Sequence, residues 1–306
     1  MHRLVIDTDP GVDDAHALLM AFAHPHAQVE ALTTVAGNVS LEQATRNALI
    51  ILDVIDAEVP VFPGCEDALV IPTPRRAISH GTDGLGDSGY PPSPRQPASE
   101  HAVQALIRLA NQAPGALTLV ALGPLTNLAL ATRLDPSLPQ KYKRLVVMGG
   151  AIHAKGNSWE RAAEFNFYCD PEAAAIVFSR WPRLTLVSWE TTLAHGLLPH
   201  QVEGLCGGGS PRAEFFRRTL HKWLAAPVSE PAVLLEPDPL AMAVAMEPEI
   251  VQQSETRYVQ IELAGQFTRG QTVIDWYGLT ECAPNAELVL AVDQARFLEL
   301  IALGLK

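Results

Sequence analysis

The alternation of short apolar runs with amphipathic helical patterns constrains the fold of this chain more than any other feature. Leu4–Ile6 and Val29–Val35 have the pattern of β-strands, and between them Leu18 and Phe22 fall on one helical face. Strands that alternate with helices form βαβ units, which build a parallel sheet covered by helices. The sequence therefore predicts a single α/β domain over residues 1–306, with a mostly parallel central sheet flanked by helices.

The remaining predicted elements continue this alternation. Further strands are predicted at Val59–Phe62, Leu117–Leu122, Leu145–Met148 and Thr185–Ser188, and helices at Leu41–Ile55, Ser99–Asn111, Leu125–Thr132 and Asp170–Phe178. Two long stretches interrupt the pattern, Pro63–Pro97 and Ala151–Ala163, and such loops in a compact domain are usually binding loops. After Glu255, the alternating runs YVQIELAG, GQTVIDW and AELVLAV predict β-hairpin additions to the sheet, and Asp293–Gly304 a closing helix.

Composition narrows the class of protein. The chain has 306 residues, 48% of them hydrophobic, so it can bury a large core, and intrinsic disorder is excluded. Its formal charge of −12 has the wrong sign for binding a nucleic acid polymer or an anionic membrane. Neither a secretion signal nor an apolar run of about 18 residues is present, so we expect a cytoplasmic location. The cysteines lack metal-binding spacing, which indicates reduced and mostly buried thiols at Cys65, Cys169, Cys206 and Cys282.

The segment LVIDTDPGVDDAHALL carries four carboxylates within eight residues: Asp7, Asp9, Asp13 and Asp14. It lies between the first strand and the first helix, at the sheet edge where open α/β proteins bind ligands. Capping of the helix explains one or two of these aspartates. Four close carboxylates raise one another's pKa unless a cation neutralises them. We therefore expect a bound metal, and flexible all-oxygen ligation favours Ca²⁺ over Mg²⁺.

Two known acidic motifs fit this turn less well. A calcium-binding EF-hand loop needs Glu at its twelfth position, and counting from Asp7 that position is Leu18. The haloacid-dehalogenase phosphatase motif, with Asp7 as nucleophile, expects Thr or Val where Gly11 stands. A Mg²⁺-dependent phosphatase stays an alternative function, which release of phosphate from sugar phosphates would reveal.

The acidic turn is the first of a series of motifs. In chain order they are DTDPGVDDA from Asp7, VAGN ending at Asn38, HGTDGLG from His80, ALGPLTNLA from Ala121, VMGG from Val147, GN followed by AEFNFYCDPEAA from Gly156, and PDPLAMA from Pro237. In this series, over residues 4–246, the chain resembles the nucleoside hydrolases, both inosine/uridine-preferring and pyrimidine-specific. The resemblance implies a nucleoside hydrolase-like domain that hydrolyses the N-glycosidic bond of ribonucleosides, giving ribose and a free purine or pyrimidine base.

The resemblance also implies the cofactor and its ligands. Ca²⁺ would be bound by Asp9, Asp14, the main-chain carbonyl of Leu122, and Asp238. The last two positions suit this role, because Leu122 ends a strand just before Gly-Pro and Asp238 opens an apolar helix. Asp9 resembles the general base that takes a proton from a metal-bound water. That water would attack C1′ of the ribose with inversion.

Other matched residues are implied to bind the nucleoside. The resemblance assigns Asp13, Asn38 and Asn166 to the ribose hydroxyls, Asn157 and Glu164 to the 5′-hydroxyl, and Met148 to packing on the sugar. Glu164 and Asn166 lie two residues apart, so both point into one pocket if this segment is extended. Asp7 is expected to orient Asp9 or the loop amides.

The base side of the site departs from the family pattern. His80 matches the family histidine near the nucleobase and is implied to be catalytic. Members that protonate the leaving base carry His immediately before the second calcium aspartate, where this chain has Pro237. Either another residue such as His80, His153, His195 or Tyr277 supplies the proton, or the leaving base is activated without an acid.

A second alternative is a non-catalytic Ca²⁺-dependent nucleoside-binding protein. The retention of Asp9 argues against it, because a protein that only binds needs no general base. Contacts to the base are expected from the loops around His80 and from His195–Trp223. The implied partner is a small-molecule nucleoside, and the implied assembly is a homodimer or homotetramer.

Overall fold

A mostly parallel sheet forms the centre of the chain. The computed structural model describes residues 1–72, 78–159, 161–225 and 233–306, and within these ranges the sheet has eight strands in the order β3-β2-β1-β4-β5-β6-β10-β7. All neighbouring strands are parallel except β10 and β7. The strands are β1 (His2–Thr8), β2 (Ala27–Thr34), β3 (Val61–Pro63), β4 (Leu117–Ala121), β5 (Arg144–Met148), β6 (Leu184–Val187), β7 (Val251–Arg257) and β10 (Ala286–Val292).

Helices cover both faces of this sheet. They are α1 (Val12–Ala23), α2 (Leu41–Ile55), α3 (Ala102–Gln112), α4 (Thr126–Leu134), α5 (Leu138–Lys141), α6 (Phe165–Cys169), α7 (Pro171–Arg180), α8 (Trp189–Ala194), α9 (Pro199–Cys206), α10 (Pro211–Thr219), α11 (His221–Ala225), α12 (Pro237–Met246) and α13 (Gln294–Gly304). Successive side chains of β1 point to opposite faces. Leu4 and Ile6 pack with α1, α2, α12 and α13, whereas Val5 packs with α3, α4 and α7. The predicted α/β fold with helices on a mostly parallel sheet is therefore confirmed.

The predicted C-terminal β additions are only partly correct. Two of the runs form a hairpin of their own, β8 (Val259–Ile261) and β9 (Thr272–Ile274), outside the main sheet. The third run is β10, which pairs in parallel with β6 and therefore continues the sheet. The edge strand β7 is not predicted from the sequence, because all of its residues after Val251 are polar and none of the seven is buried.

The expectation about the cysteines needs correction. Of the four cysteines, only Cys169 is buried, whereas Cys65 and Cys206 are partly buried and Cys282 is exposed. The long loops contain residues 73–77 and 160, which lie outside the described residues. No helix within the described ranges combines the length and the hydropathy that crossing a membrane requires.

The sheet brings the motifs together at one edge. Asp9 follows β1 and Leu122 follows β4, and these two strands are paired in parallel, so both residues leave the sheet at its carboxyl edge. Helices α1 and α12, which pack on each other, begin at the same edge and carry Asp13, Asp14 and Asp238 in their first turns.

At the other end of α1 and α12, a carboxylate joins three helices. Glu247 follows α12 and accepts hydrogen bonds from the guanidinium of Arg296 in α13 at 2.7 and 2.8 Å. It also lies 3.0 Å from the ring of His24, which follows α1. Hydrogen bonding to Arg296 lowers the pKa of Glu247 to about 2. Charge on Glu247 therefore stabilises the fold.

Replacing Glu247 with Gln is expected to lower the free energy of unfolding at neutral pH by about 1–2 kcal/mol, because a charge-assisted pair is lost. The folded-state pKa is depressed, so this contribution is fully present above the usual carboxyl pKa of 4.5 and disappears as the pH falls toward 2. Denaturant titrations at several pH values measure it. Glu299→Gln is the matched control, because Glu299 also pairs with Arg296 but is largely exposed, and equal losses in both variants would contradict the assignment.

Candidate active site

The carboxylate of Asp9 is buried and only half satisfied. Its Oδ2 accepts a hydrogen bond from the N–H of Asn38 at 2.7 Å, whereas its Oδ1 has no protein partner. Two glycines make room for this side chain. A Cβ atom at Gly37 would lie 2.0 Å from Asp9 Oδ2, and one at Gly123 would lie 2.5 Å from Asp9 Oδ1. The motif glycines therefore allow the backbone to close around one carboxylate.

Asp14 is held by the turn that precedes it. Its Oδ2 accepts from the N–H of Gly11 at 2.8 Å and from Asn38 Nδ2 at 3.3 Å, and its Oδ1 accepts from the hydroxyl of Thr8. Asp238 adjoins it from the first turn of α12, where no side chain caps the helix. Oxygen atoms of Asp13, Asp14 and Asp238 all lie within 4.8 Å of one another. We call Asp9, Asp13, Asp14 and Asp238 the acidic cluster.

Burial and mutual repulsion raise the pKa values across the acidic cluster. The pKa of Asp9 lies well above its ordinary value because the group is buried and because Asp14 is close. The pKa of Asp238 is raised in the same way by burial and by the other three carboxylates. Burial, followed by Glu236, raises the pKa of Asp13 to about 7. Four carboxylates crowded in this manner are stable as anions only beside positive charge.

The residues present fit a hard cation. Among the described residues, Asp9 Oδ1 and Asp13 Oδ1 are buried oxygen atoms without a hydrogen-bond partner. Carboxylate and carbonyl oxygens are the ligands that Ca²⁺ and Mg²⁺ take in proteins. The compact group of candidate ligands contains Asp13 and not Asp9, whereas the ligands implied by the sequence resemblance are Asp9, Asp14, Leu122 and Asp238. Asp9 as a direct ligand stays a prediction.

The carbonyl of Leu122 already has one partner. It follows β4 and accepts a hydrogen bond from Asn166 Nδ2 at 2.7 Å. The same Nδ2 lies 3.4 Å from both the carbonyl oxygen and the sulfur of Met148. Leu122, Met148 and Asn166 therefore form one wall of the site, and a second lone pair of the Leu122 oxygen is left for a ligand.

Glu164 and Asn166 both line the cavity, although Asn166 belongs to helix α6 and not to an extended segment. Glu164 is the N-cap of α6, and its carboxylate accepts from the N–H groups of Asn166 at 2.9 Å and Phe167 at 3.2 Å. It also accepts from the N–H of Gly150 at 2.9 Å. The cap is favourable because a buried carboxylate needs hydrogen-bond donors, and the N–H groups in the first turn of a helix supply them. Burial raises the pKa of Glu164 to about 7.

Asp7 does not orient Asp9. Its Oδ1 accepts from the hydroxyl of Thr33 at 2.5 Å and from Asn127 Nδ2 at 2.8 Å. Asn127 in turn donates to the carbonyl of Thr34 and accepts from the N–H of Cys65. Asp7 therefore ties β1 to β2 and to the loop after β3, behind the acidic cluster. Burial raises the pKa of Asp7 to about 7.

A cavity of about 700 Å³ opens above the acidic cluster. Its wall includes nearly all the predicted site residues, namely Asp13, Asn38, His80, Leu122, Met148, Asn157, Glu164, Asn166 and Asp238. The volume lies in the usual range for small-molecule sites. Asp9 and Asp14 lie beneath this wall, almost fully buried. The structure thus brings together residues that are more than 200 positions apart in the sequence.

His80 is the one candidate acid that lines this cavity among the described residues. Its Nδ1 accepts from the N–H of Val12 at 3.1 Å and lies 3.5 Å from Asp13 Oδ1. Burial lowers the pKa of His80. A neutral ring that accepts at Nδ1 carries its proton on Nε2. The other three candidates lie elsewhere: His195 bonds to Thr191 and Val292, His153 stacks on Trp276, and Tyr277 is exposed.

Two further polar residues on the cavity wall are not indicated by the sequence. Glu236 and Thr219 line the cavity, and the buried His16 lies 3.0 Å from both. His16 and Glu236 are separated by 220 residues, and neither stands in a spacing that indicates a contact. Three tryptophans, Trp159, Trp189 and Trp223, also line the cavity. Only Trp223 fell within the region expected to contact the base.

Comparison with known proteins gives one consistent result. The family model described as inosine-uridine preferring nucleoside hydrolase matches residues 4–299. A pyrimidine-specific ribonucleoside hydrolase (RihA) of Klebsiella pneumoniae is 36% identical over 98% of this chain and 96% of its own. A solved inosine-guanosine nucleoside hydrolase is 36% identical, with a TM-score of 0.94 over 100% of this chain and 99% of its own. A solved purine-preferring ribonucleoside hydrolase from Gardnerella vaginalis is 30% identical, with a TM-score of 0.88 over 99% and 98%.

Proposed function

This chain belongs to the inosine-uridine preferring nucleoside hydrolase family and is an enzyme of the ribonucleoside hydrolase class, and we propose that it works with Ca²⁺ and with Asp9 as general base. The observation that carries this proposal is the buried Oδ1 of Asp9, which has no partner and lies among four crowded carboxylates beneath the cavity. Asp14, Asp238, the Leu122 carbonyl and Asp9 or Asp13 would hold the ion. When bound, the ion would supply positive charge that lowers the pKa of a neighbouring water.

Asp9 would accept the proton of the attacking water through Oδ1. Its Oδ2 is fixed by the N–H of Asn38, so the free oxygen keeps one orientation while the proton moves. Attack at C1′ from the side opposite the base would give ribose with inverted configuration. The free-energy cost of orienting this carboxylate arises during folding and not during the reaction. Groups that are preorganised in this way accelerate reactions.

The cavity wall would hold the ribose. Asp13, Asn38 and Asn166 are proposed to bind its hydroxyls, and Asn157 and Glu164 its 5′-hydroxyl, with Met148 packed on the sugar ring. The free Oδ1 of Asp13 supports this, because a hydroxyl is a donor that the buried oxygen lacks. The carboxylate of Glu164 already accepts three backbone N–H groups, so it would act with the lone pairs that remain.

The base would lie on the side of His80. The Nε2–H group of His80 is proposed to donate a hydrogen bond to the departing base, since Nδ1 is occupied by Val12. The names of the three similar proteins above give different specificities, for pyrimidines, for the nucleosides inosine and guanosine, and for purines, so these names do not select one base for this chain. Assembly as a homodimer or homotetramer and a cytoplasmic location stay predictions.

Assay of free ribose with inosine, guanosine, uridine and cytidine tests the proposed function. We expect ribose release from at least one of them, dependent on Ca²⁺. Phosphate release from sugar phosphates without ribose release would instead indicate the Mg²⁺-dependent phosphatase. Binding of nucleosides without turnover would indicate the non-catalytic nucleoside-binding protein.

The proline at position 237 gives a prediction about the leaving group. Proton donation to a leaving group is typically worth about 10²–10⁴ in rate, and Pro237 has no proton to donate. We therefore expect nitrophenyl riboside, whose leaving group needs no acid, to be cleaved far faster than inosine or uridine. His80→Ala should slow only the natural nucleosides, and His153→Ala, outside the cavity wall, is the control. Equal kcat/KM for the two kinds of substrate would show that an efficient acid exists elsewhere.

A further inference from the structure

The loop between β5 and α6 contributes to the cavity although it has no regular structure. Its residues 151–163, described except for residue 160, form neither helix nor strand. Asn157, Ser158 and Trp159 of this loop line the cavity. Since no helix or strand ladder holds these residues, bonds to the rest of the protein must fix their position.

Glu190, in the first turn of α8, supplies such bonds. Its Oε2 accepts from the N–H of Ile152 at 2.8 Å, and its Oε1 accepts from the N–H groups of His153 at 2.8 Å and Lys155 at 3.3 Å. Backbone N–H groups that converge in this way form a site for an anion. Here a carboxylate from another element occupies it, and bonds to a charged acceptor are the stronger kind. Glu190 therefore fastens the start of the loop to α8.

The rest of the loop closes on itself and ends at the cavity. The N–H of Gly156 donates to the carbonyl of Arg161 at 2.7 Å, and Ser158 donates to the carbonyl of Ala163 through its hydroxyl at 2.7 Å. Asn157 Oδ1 accepts from the N–H of Phe165 at 2.8 Å. Because Oδ1 has this partner, the Nδ2 group of Asn157 is the donor left for a ligand.

We propose that Glu190 is a positioning residue for recognition of the ribose 5′-hydroxyl. It holds residues 152–155, and through them it sets the place of Asn157, whose Nδ2 group donates to the 5′-oxygen. The inference rests on the proposed function and extends it to a residue that does not line the cavity. It also explains why a loop without helix or strand can present one amide in a fixed orientation.

Kinetics with a nucleoside and its 5′-deoxy counterpart test this role. In Glu190→Ala we expect KM for the nucleoside to rise about threefold to tenfold, the value of one lost hydrogen bond, with a smaller change in kcat. KM for the 5′-deoxy substrate should change little. The preference for the 5′-hydroxyl, which is the ratio of kcat/KM for the two substrates, should therefore fall in Glu190→Ala toward the value for Asn157→Ala. Adding Glu190→Ala to Asn157→Ala should not lower this preference further. Glu190→Gln, which keeps one acceptor oxygen, should be intermediate.

The matched control is Glu42→Ala, which also removes a glutamate from the first turn of a helix, but one whose side chain is largely exposed and outside the cavity wall, so it should leave the preference unchanged. An equal loss on both substrates in Glu190→Ala would overturn the proposal, because general destabilisation does not distinguish them. So would a wild-type enzyme that does not distinguish the two substrates.

Limited trypsin digestion measures the local stability of the loop independently of any enzymatic activity. Lys155 and Arg161 are the cleavage sites within it. Glu190→Ala should increase the rate of cleavage at these two sites, located by mass spectrometry, at least tenfold relative to Glu42→Ala, on the order of 1.4 kcal/mol of lost local stability. Unchanged cleavage would overturn the proposal. Absence of nucleoside hydrolysis in the wild type would refute the proposed function, and the digestion would still report on the Glu190 contact.

Discussion

Asp9→Asn is expected to remove nearly all hydrolysis while leaving the protein folded. The amide can keep the hydrogen bond from the N–H of Asn38 to one oxygen, but it cannot accept a proton from water. Loss of a general base costs about 10²–10⁴ in kcat, and more if the ion is displaced. Ribose release and a thermal melt of the same sample measure both parts of the prediction. Normal turnover by the folded variant would show that Asp9 is not the base.

Asp7→Asn is the matched control for this experiment. It makes the same substitution on the same chain segment, and the remaining carbonyl oxygen can still accept from Thr33 and Asn127. The other oxygen of Asp7 is buried without a partner, so the variant also removes a costly buried charge. We expect it to keep most of its activity. A loss as large as that of Asp9→Asn would mean that the effect comes from charge or packing in this region and not from base catalysis.

The features that could be predicted from the sequence are those determined by residues close together in the chain. The alternation of strand and helix patterns predicted the sheet, and DTDPGVDDA placed Asp13 and Asp14 correctly in the first turn of α1. The apolar run after Pro237 likewise placed Asp238 at the start of α12. In each case the pattern and the structure involve the same few residues, so local reading is sufficient.

What could not be predicted depends on contacts between distant segments. The cap that Glu164 forms on α6 was not predicted because it depends on the burial of the Glu164 carboxylate. That carboxylate also accepts a hydrogen bond from the N–H of Gly150, which is distant in the sequence. The pairing of His16 with Glu236 joins α1 to the residue before α12, and no sequence motif or residue spacing indicates this contact. The partners of Asp7, Thr33 and Asn127, lie on other elements, so the residues around Asp7 do not indicate them. Tertiary contacts decided these positions.

Removal of the metal is expected to abolish hydrolysis and to destabilise the fold. Without a cation, the acidic cluster must take up protons or bear strong repulsion, as the raised pKa values of Asp9 and Asp238 show. A ligand that binds only the folded state at about 100 times its Kd contributes about 2.7 kcal/mol of stability. Prolonged chelation should therefore lower Tm together with activity. Asp238→Asn should need a higher Ca²⁺ concentration than the wild type to reach half of its full activity.

The most direct measurement of the central claim is ribose release as a function of Ca²⁺ added to protein shown to be metal-free by elemental analysis. The account predicts no turnover in the metal-free protein, recovery of full activity at one bound Ca²⁺ per chain, and a rise of Tm over the same range. Mg²⁺, which demands stricter octahedral geometry, should restore less. Full activity in the metal-free protein would contradict the account, because the acidic cluster would then have a role other than holding the ion needed for hydrolysis.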